Sequence, residues 1–356
     1  RIAFLSGAVL EFISILSVAI VAVTVGLRMV AGGLDLYTGL IAIMLAPEVY
    51  APVREVGKFF HASADGLSAS QSAFEILETP PATSGDKPAP KLEETTIKIK
   101  DLGMRSRGAW APNAVNLVIK PATITALVGK SGEGKTTTVM ALLKQLSSDR
   151  GTITLTDASG KTLDLDEVSP DSWWEQTSWL PQMPLLLPGT LAQNIAESPA
   201  HLAELFPQGN AGEEVRKAAR LAGFEEVVAK LPEGWNTFLR AGGEGLSVGQ
   251  RQRLALVRAL LSTKQLIALD EPSAHLDAHL VAQVAQVVQQ LKDAGKTVVL
   301  IAHRQELAQL ADQVVRISSV AFTPEETEKY RDTQPQAARA SEAEIPEFLG
   351  STRGLE

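Results

Sequence analysis

The 356-residue chain has a net charge of −8 and a sequence pI near 5.3, so no basic field awaits a polyanion and nucleic acid is disfavoured as the main partner. It contains no cysteine, which excludes disulfide frameworks, zinc–cysteine centres and thiol catalysis and suits a cytosol-facing body. Its length allows two or three structural units with a sizeable core.

The first stretch is apolar. From Ala3 to Leu27 the one ionisable residue is Glu11, and a helix of that length extends about 37 Å, enough to cross a hydrocarbon core of about 30 Å. The turn signal Ala31-Gly32-Gly33 follows, and a second apolar stretch from Leu36 to Val53 is interrupted only by Glu48. Either segment alone also fits a soluble core helix. The two together, joined by a short loop, read as a membrane hairpin with spans at 3–27 and 36–53. Arg1, Arg54 and Lys58 near the outer ends place those ends in the cytosol. Glu11 and Glu48 then face a cavity or partner helix, or else reach water at the interfaces. Pro47 and Pro52 are expected to kink or end the second span. Past Arg54 the pattern turns amphipathic through Phe59, Phe60, Leu67, Phe74 and Leu77, as expected of a helix leaving the bilayer for the cytosol. Residues 1–78 therefore read as the C-terminal part of a transmembrane domain. A start at Arg1, with neither initiator Met nor signal-peptide layout, reads as the C-terminal portion of a longer protein.

Residues 79–94, with Pro80, Pro81, Pro88 and Pro90, have the composition of a linker. A globular unit is expected from 95 to 318, opening with an edge strand in which Ile97 and Ile99 alternate with polar neighbours. Residues 319–356 are rich in Glu, Ala, Gln, Pro and Arg and are expected to be disordered.

Three segments of the globular unit carry chemistry. Gly129-Lys130-Ser131-Gly132-Glu133-Gly134-Lys135-Thr136 follows the apolar, β-rich run Ile124–Val128 and precedes a helical pattern from Lys135 to about Leu146. Strand, glycine loop and helix form the context of a phosphate-binding loop: backbone N–H groups curl around a triphosphate, and the helix N-terminus adds its positive end. Lys135 would reach the β/γ-phosphates, the Thr136 hydroxyl would ligate Mg²⁺, and Thr137 continues the first turn. Leu266-Ile267-Ala268-Leu269 is a second apolar run, delivering Asp270 and Glu271 at its end. Asp270 is placed to hold Mg²⁺ and Glu271 to polarise an attacking water. Leu246-Ser247-Val248-Gly249-Gln250 opens a helical pattern, so Ser247 and the glycine form a second anion-binding N-terminus.

With these motifs in this order, the chain from Ala3 to about Ser318 resembles an ATP-binding cassette (ABC) exporter half-transporter. The fold class implied is an α/β P-loop NTPase, the ABC-type nucleotide-binding domain, preceded by an α-helical transmembrane hairpin. Gly129–Thr136 is similar to the Walker A motif, Leu266–Glu271 to Walker B, and Leu246–Gln250 to the family signature. Gln182, in Leu180-Pro181-Gln182, is similar to the Q-loop glutamine, a Mg²⁺ contact that relays nucleotide state. Ser273-Ala274-His275-Leu276-Asp277 resembles the D-loop, and His303 the switch histidine near the γ-phosphate. The resemblance implies ATP and Mg²⁺ as cofactors, with Glu271, His303 and Gln182 in catalysis and Thr136, Gln182 and Asp270 around the metal. It also implies that Ser247, Gly249 and Gln250 meet the ATP held by a second half-transporter. Two spans cannot line a path, so further helices and a partner subunit are implied too.

Two positions depart from the family pattern. Val248 replaces a signature glycine, and no aromatic falls at 104–107 where one would stack on adenine; Trp110 is the nearest. Leu45-Ala46-Pro47-Glu48, Pro52, Arg54, Phe60-His61-Ala62, Ser169-Pro170-Asp171-Ser172-Trp173 and Leu276-Asp277-Ala278-His279 are similar to the CydD type of half-transporter. That type pairs with a CydC-like subunit in the bacterial inner membrane, its ATPase domain cytoplasmic. It is described as exporting cysteine or glutathione, or as moving haem, in support of cytochrome bd assembly. An exporter of lipid, peptide or drug is the alternative on cargo. A soluble ABC-type ATPase is opposed by the apolar spans and the acidic charge.

Overall fold

The computed structural model describes residues 2–78, 85–106, 108–273 and 278–333. The chain divides into two units, Arg1–Pro81 and Ala82–Glu356.

The first unit is a helical hairpin of Ile2–Val30 and Leu36–Glu78. Its turn is closed by Gly32 N–H to Met29 O and Gly33 N–H to Arg28 O, at 3.1 and 3.0 Å. Asp35 caps the second helix by accepting from the Thr38 amide at 3.0 Å. Phe12, Ile13, Leu16, Ile20, Val23 and Leu27 are all exposed, an apolar surface suited to lipid. Among the described residues, one stretch, Glu11–Val30, is long and apolar enough to cross a membrane; Leu36–Val49 is apolar but shorter. The expected second span is thus the weaker of the two. Pro47 and Pro52 lie inside the 43-residue helix and do not end it. Each proline removes one backbone donor, and the turns on either side continue the helix.

The second unit holds two main sheets. A five-stranded parallel sheet runs in the order Gln313–Arg316, Ile124–Val128, Thr297–Ile301, Leu266–Asp270, Thr177–Leu180. Thr297–Ile301 and Leu266–Asp270 are buried at every position, as strands covered on both faces must be. An antiparallel sheet orders Val115–Ile119, Thr96–Gly103, Arg150–Thr156 and Thr162–Asp164. Thr96–Gly103 is paired on both sides and is no edge strand: its alternation records one buried and one solvated face. Ile97, Leu102, Leu127, Leu142, Trp173 and Ile301 belong to one core cluster. A second cluster packs Leu254, Val257, Ile267, Leu269, Val284 and Leu300 together.

Two boundaries differ from expectation. Within 79–94, residues 79–84 lie outside the described residues, and Lys87 bridges to Val168 while Leu92 is buried. Leu92 finds the core despite its polar neighbours, and its amide is held by Gln176 Oε1 at 3.0 Å. Within the expected disordered tail, residues 334–356 lie outside the described residues, but Val320–Ala321 is a strand and Pro324–Thr333 a helix. Thr323 and Glu326 form a capping box: the Glu326 amide donates to Thr323 Oγ1 and the Thr323 amide to Glu326 Oε2, at 3.3 and 2.9 Å.

Candidate functional site

Parallel pairing brings three strand ends to one edge. Asp270 is level with Ile301, and Ile301 with Leu127. The loop after Val128, the Asp270-Glu271 pair and the turn bearing His303 therefore emerge side by side at the carboxyl ends of the strands, where open α/β sheets bind ligands.

The glycine loop leads into helix Lys135–Leu142, whose N-cap is Gly134, left-handed at φ 91° and with no side-chain capping bond. A side chain at Gly134 is excluded by space as well, since a Cβ would lie 2.2 Å from Pro112 N. The first-turn amides are thus free of side-chain caps, the arrangement that receives an anion. The buried Lys135 ammonium donates to Gly129 O at 3.0 Å and Lys130 O at 2.8 Å. The helix is shorter than its pattern, ending at Leu142 before Lys144 adopts φ 56°.

Glu133 behaves in a way that spacing did not reveal. Its Oε2 accepts from the Lys130 amide at 2.5 Å, so a carboxylate already engages a donor of the loop expected to hold phosphate. Glu133→Ala frees that amide and removes a like charge, and is expected to tighten Mg-ATP binding about three- to tenfold, or roughly 0.7–1.4 kcal/mol. Equilibrium binding of labelled ATP checks this; unchanged or weaker binding shows that the carboxylate does not compete.

The acidic pair divides its partners. The Thr136 hydroxyl donates to Asp270 Oδ2 at 2.8 Å, while Asp270 Oδ1 is buried without a hydrogen-bond partner. Burial pushes the Asp270 carboxyl above its ordinary range; the Thr136 bond opposes this, the Glu271 charge adds to it, and Lys135 and His303 oppose it. A buried carboxylate oxygen left orphaned beside a hydroxyl suits a divalent cation. Among the described residues no cluster of three or more His, Cys, Asp or Glu side chains is placed to hold a metal. One carboxylate plus a hydroxyl would suit the protein share of a Mg²⁺ that takes its other ligands from phosphate and water. Glu271 takes the left-handed region at φ 48°, a costly conformation for a non-glycine residue, with its amide tied to Ile301 O at 3.2 Å. Its Oε1 lies 2.6 Å from His303 Nε2, and its Oε2 accepts from Gln182 Nε2 at 2.9 Å. Lys135, Thr136, Gln182, Asp270, Glu271 and His303 thus form one constellation.

Ser247, Gly249 and Gln250 lie outside it. Ser247 caps helix Val248–Leu261 in a capping box with Gln250: the Gln250 amide donates to Ser247 Oγ at 3.2 Å, and the Ser247 amide to Gln250 Oε1 at 2.8 Å. Among the described residues neither has a hydrogen bond or ion pair to the glycine loop. The helix is linked to the acidic strand end through the buried Gln252, whose Nε2 donates to Pro272 O at 3.3 Å. Ser273 is buried, and 274–277 of the expected D-loop lie outside the described residues. Trp110 is half-buried on the hairpin that presses Pro112 against Gly134.

Residues 112–274 match the family model described as ABC transporter. Those residues of the second unit are an ABC transporter domain. The chain is 34% identical over 311 residues to the glutathione/L-cysteine transport system ATP-binding/permease protein CydC of Bacillus subtilis, covering 85% of the chain and 51% of that protein. It is 33% identical over 324 residues to the corresponding CydD of Escherichia coli, covering 88% of the chain and 52% of that protein. An ATP-dependent lipid A-core flippase of Saccharophagus degradans is 28% identical over 295 residues, covering 83% of the chain and 48% of the flippase. The chain therefore spans about half the length of these curated relatives. A bacterial Atm1-family ABC exporter solved with ATP bound shares the fold, with a TM-score of 0.58 at 20% identity over 96% of the chain and 58% of the exporter.

Proposed function

We propose that the chain is part of a CydD-type ABC exporter subunit that binds and hydrolyses ATP and couples this to movement of cysteine or glutathione across the bacterial inner membrane. The observation that carries it is the meeting of Thr136 with Asp270 and of Glu271 with both Gln182 and His303 at one sheet edge. The names of the relatives from B. subtilis and E. coli support the cargo class, and the exposed apolar helix Glu11–Val30 supports membrane insertion as part of a multi-pass domain. A CydC-like half-transporter is the proposed partner, whose bound ATP Ser247, Gly249 and Gln250 would meet.

Gly129–Thr137 would hold the triphosphate, with Lys135 turning from its two carbonyls to the β/γ-phosphates. Thr136, Asp270 and Gln182 would hold Mg²⁺, which when bound supplies charge neutralisation on the phosphate oxygens. Glu271 would take a proton from the attacking water, with His303 Nε2 2.6 Å from its Oε1. Gln182 ties the loop after Thr177–Leu180 to the same carboxylate. Haem is the alternative cargo within this type. The lipid A-core flippase relatives favour a second reading, in which the same machinery moves a lipid.

The test uses the whole subunit, co-purified with its partner and placed in inside-out proteoliposomes. Mg-ATP is expected to drive uptake of labelled glutathione or cysteine. Uptake of lipid or haem with no thiol accumulation overturns the cargo; absence of ATP hydrolysis overturns the enzyme.

A further inference from the structure

The chain ahead of the first strand is laced along one segment of the second unit. Gly85 packs so closely on Glu167 that a Cβ would lie 1.8 Å from the Glu167 carbonyl carbon. Lys87 N–H donates to Glu167 O at 3.0 Å and Ser169 N–H to Lys87 O at 2.7 Å, a parallel bridge to Val168. Ala89 N–H donates to Ser172 Oγ at 2.9 Å. Gln176 closes the row with both ends of its carboxamide. Its Oε1 accepts from the Leu92 amide at 3.0 Å, and its Nε2 donates to Pro90 O at 3.1 Å. Leu92 itself is buried, so the row ends on an apolar anchor.

The segment that receives this row also holds three elements of the candidate site at their far ends. Within helix Pro170–Trp174, Trp173 Nε1 donates to Leu142 O and Trp174 Nε1 to Leu143 O, at 3.0 and 2.8 Å. Those carbonyls end the helix that begins with Lys135. Gln176 O accepts from the Gln265 and Leu266 amides at 2.9 and 3.0 Å, where the strand ending in Asp270 starts. The residue after Gln176 opens Thr177–Leu180, which leads to Gln182. Gln176 thus faces both ways, its side chain to the row and its backbone to the two strands. Both strands are short and packed, so a shift at their starts is carried to their ends, where Gln182 Nε2 meets Glu271 Oε2 at 2.9 Å.

We propose that Gly85–Leu92 is a docked tether through which helix Leu36–Glu78 and the ATP site act on one another, with Gln176 as the positioning residue that joins tether to strands. This rests on the reading of the chain as part of a membrane-coupled ATPase subunit. Residues 79–84 join the helix to the tether, so the link is covalent on one side and hydrogen-bonded on the other. Coupling between distant sites is carried by such networks of bonds and rigid elements. The Lys87–Glu167 ion pair, half exposed at both ends, adds little to the joint. The amide bonds of Ser172 and Gln176 carry it.

The experiment uses the whole subunit with a cysteine-free partner in lipid nanodiscs. Because the chain has no cysteine, Tyr37→Cys places a single spin label on an exposed position of the second hairpin helix. Two quantities are read: ATP hydrolysis, and the change in the label's spectrum when Mg-ATP is added. Gln176→Leu is expected to keep hydrolysis within about twofold and to lose about half or more of the label's response. Ser172→Ala and Gly85→Ala should show the same split to a smaller degree. Gln176→Glu, which keeps the acceptor for the Leu92 amide, should recover part of the response, and Lys87→Ala should match the wild type. A response unchanged in both Gln176→Leu and Ser172→Ala overturns the tether. Hydrolysis and response falling in equal proportion show a purely structural bond and overturn the positioning role. A wild-type complex that hydrolyses ATP without moving the label overturns the coupling and leaves the ATPase reading standing. One that neither binds nor hydrolyses ATP overturns that reading, and the tether with it.

Discussion

Glu271→Gln is expected to keep Mg-ATP bound and to slow its hydrolysis by about 10²–10⁴-fold, the usual worth of a positioned general base. The amide has nearly the shape of the carboxylate it replaces. It can still accept from Gln182 Nε2, now 2.9 Å from Glu271 Oε2, so the loop after Leu180 keeps its tie. What disappears is the charge facing His303 Nε2 at 2.6 Å, and with it the capacity to take a proton from water. The left-handed backbone at Glu271 serves this geometry, since it turns the side chain out of a fully buried strand toward both partners. Phosphate release gives the rate, and rapid filtration with labelled ATP gives the occupancy. Turnover within tenfold of wild type removes Glu271 from the base role; loss of ATP binding shows that its charge acts on the nucleotide itself.

The site was legible because its geometry is local. An apolar run, a glycine loop and a lysine-led helix occupy consecutive residues, and two further apolar runs end at Asp270-Glu271 and just before His303. Strands buried on both faces announce themselves by unbroken apolar sequence, as Leu266–Leu269 and Val298–Ile301 do. Neighbour order was not legible, since the pairing of Thr177–Leu180 with Leu266–Asp270 joins residues about ninety positions apart. Gln182 came to Glu271 by that pairing, and the family resemblance had to supply its role. The carboxylate of Glu133 was hidden because a motif fixes where a side chain starts and not which amide it finds.

Composition misled at both margins of the second unit for one shared reason. A window rich in Pro, Lys and Glu outweighs a single anchoring side chain, though one buried residue suffices to dock a short segment. Leu92 is that residue before the first strand, and after the last the half-buried Phe322 and Tyr330, in edge-on ring contact at 5.3 Å, hold the segment instead. The tail did carry one readable signal: Thr323-Pro324-Glu325-Glu326 has a capping threonine, a proline at the first helical position and a glutamate three residues after the cap.

Lys135→Ala is expected to weaken ATP and tripolyphosphate alike by about 10²–10³-fold, corresponding to about 3–4 kcal/mol. The ammonium is nearly buried, 5% exposed, and bonded to Gly129 O and Lys130 O. A charged donor so placed loses little freedom when it turns from two carbonyls to phosphate oxygens, and charge-assisted bonds are worth about 1.5–3 kcal/mol each. Removing it leaves the triphosphate's charge facing Glu133, Asp270 and Glu271 with one fewer cation between them. Thr136→Ala provides the contrast. Its hydroxyl bonds Asp270 and is expected to act through Mg²⁺, so that variant should lose affinity when Mg²⁺ is present and little when it is chelated. Titration calorimetry of both variants, with and without chelator, separates the two roles. A Lys135→Ala protein that holds tripolyphosphate as tightly as the wild type would mean that the backbone amides alone carry the anion, leaving the lysine to brace an empty loop.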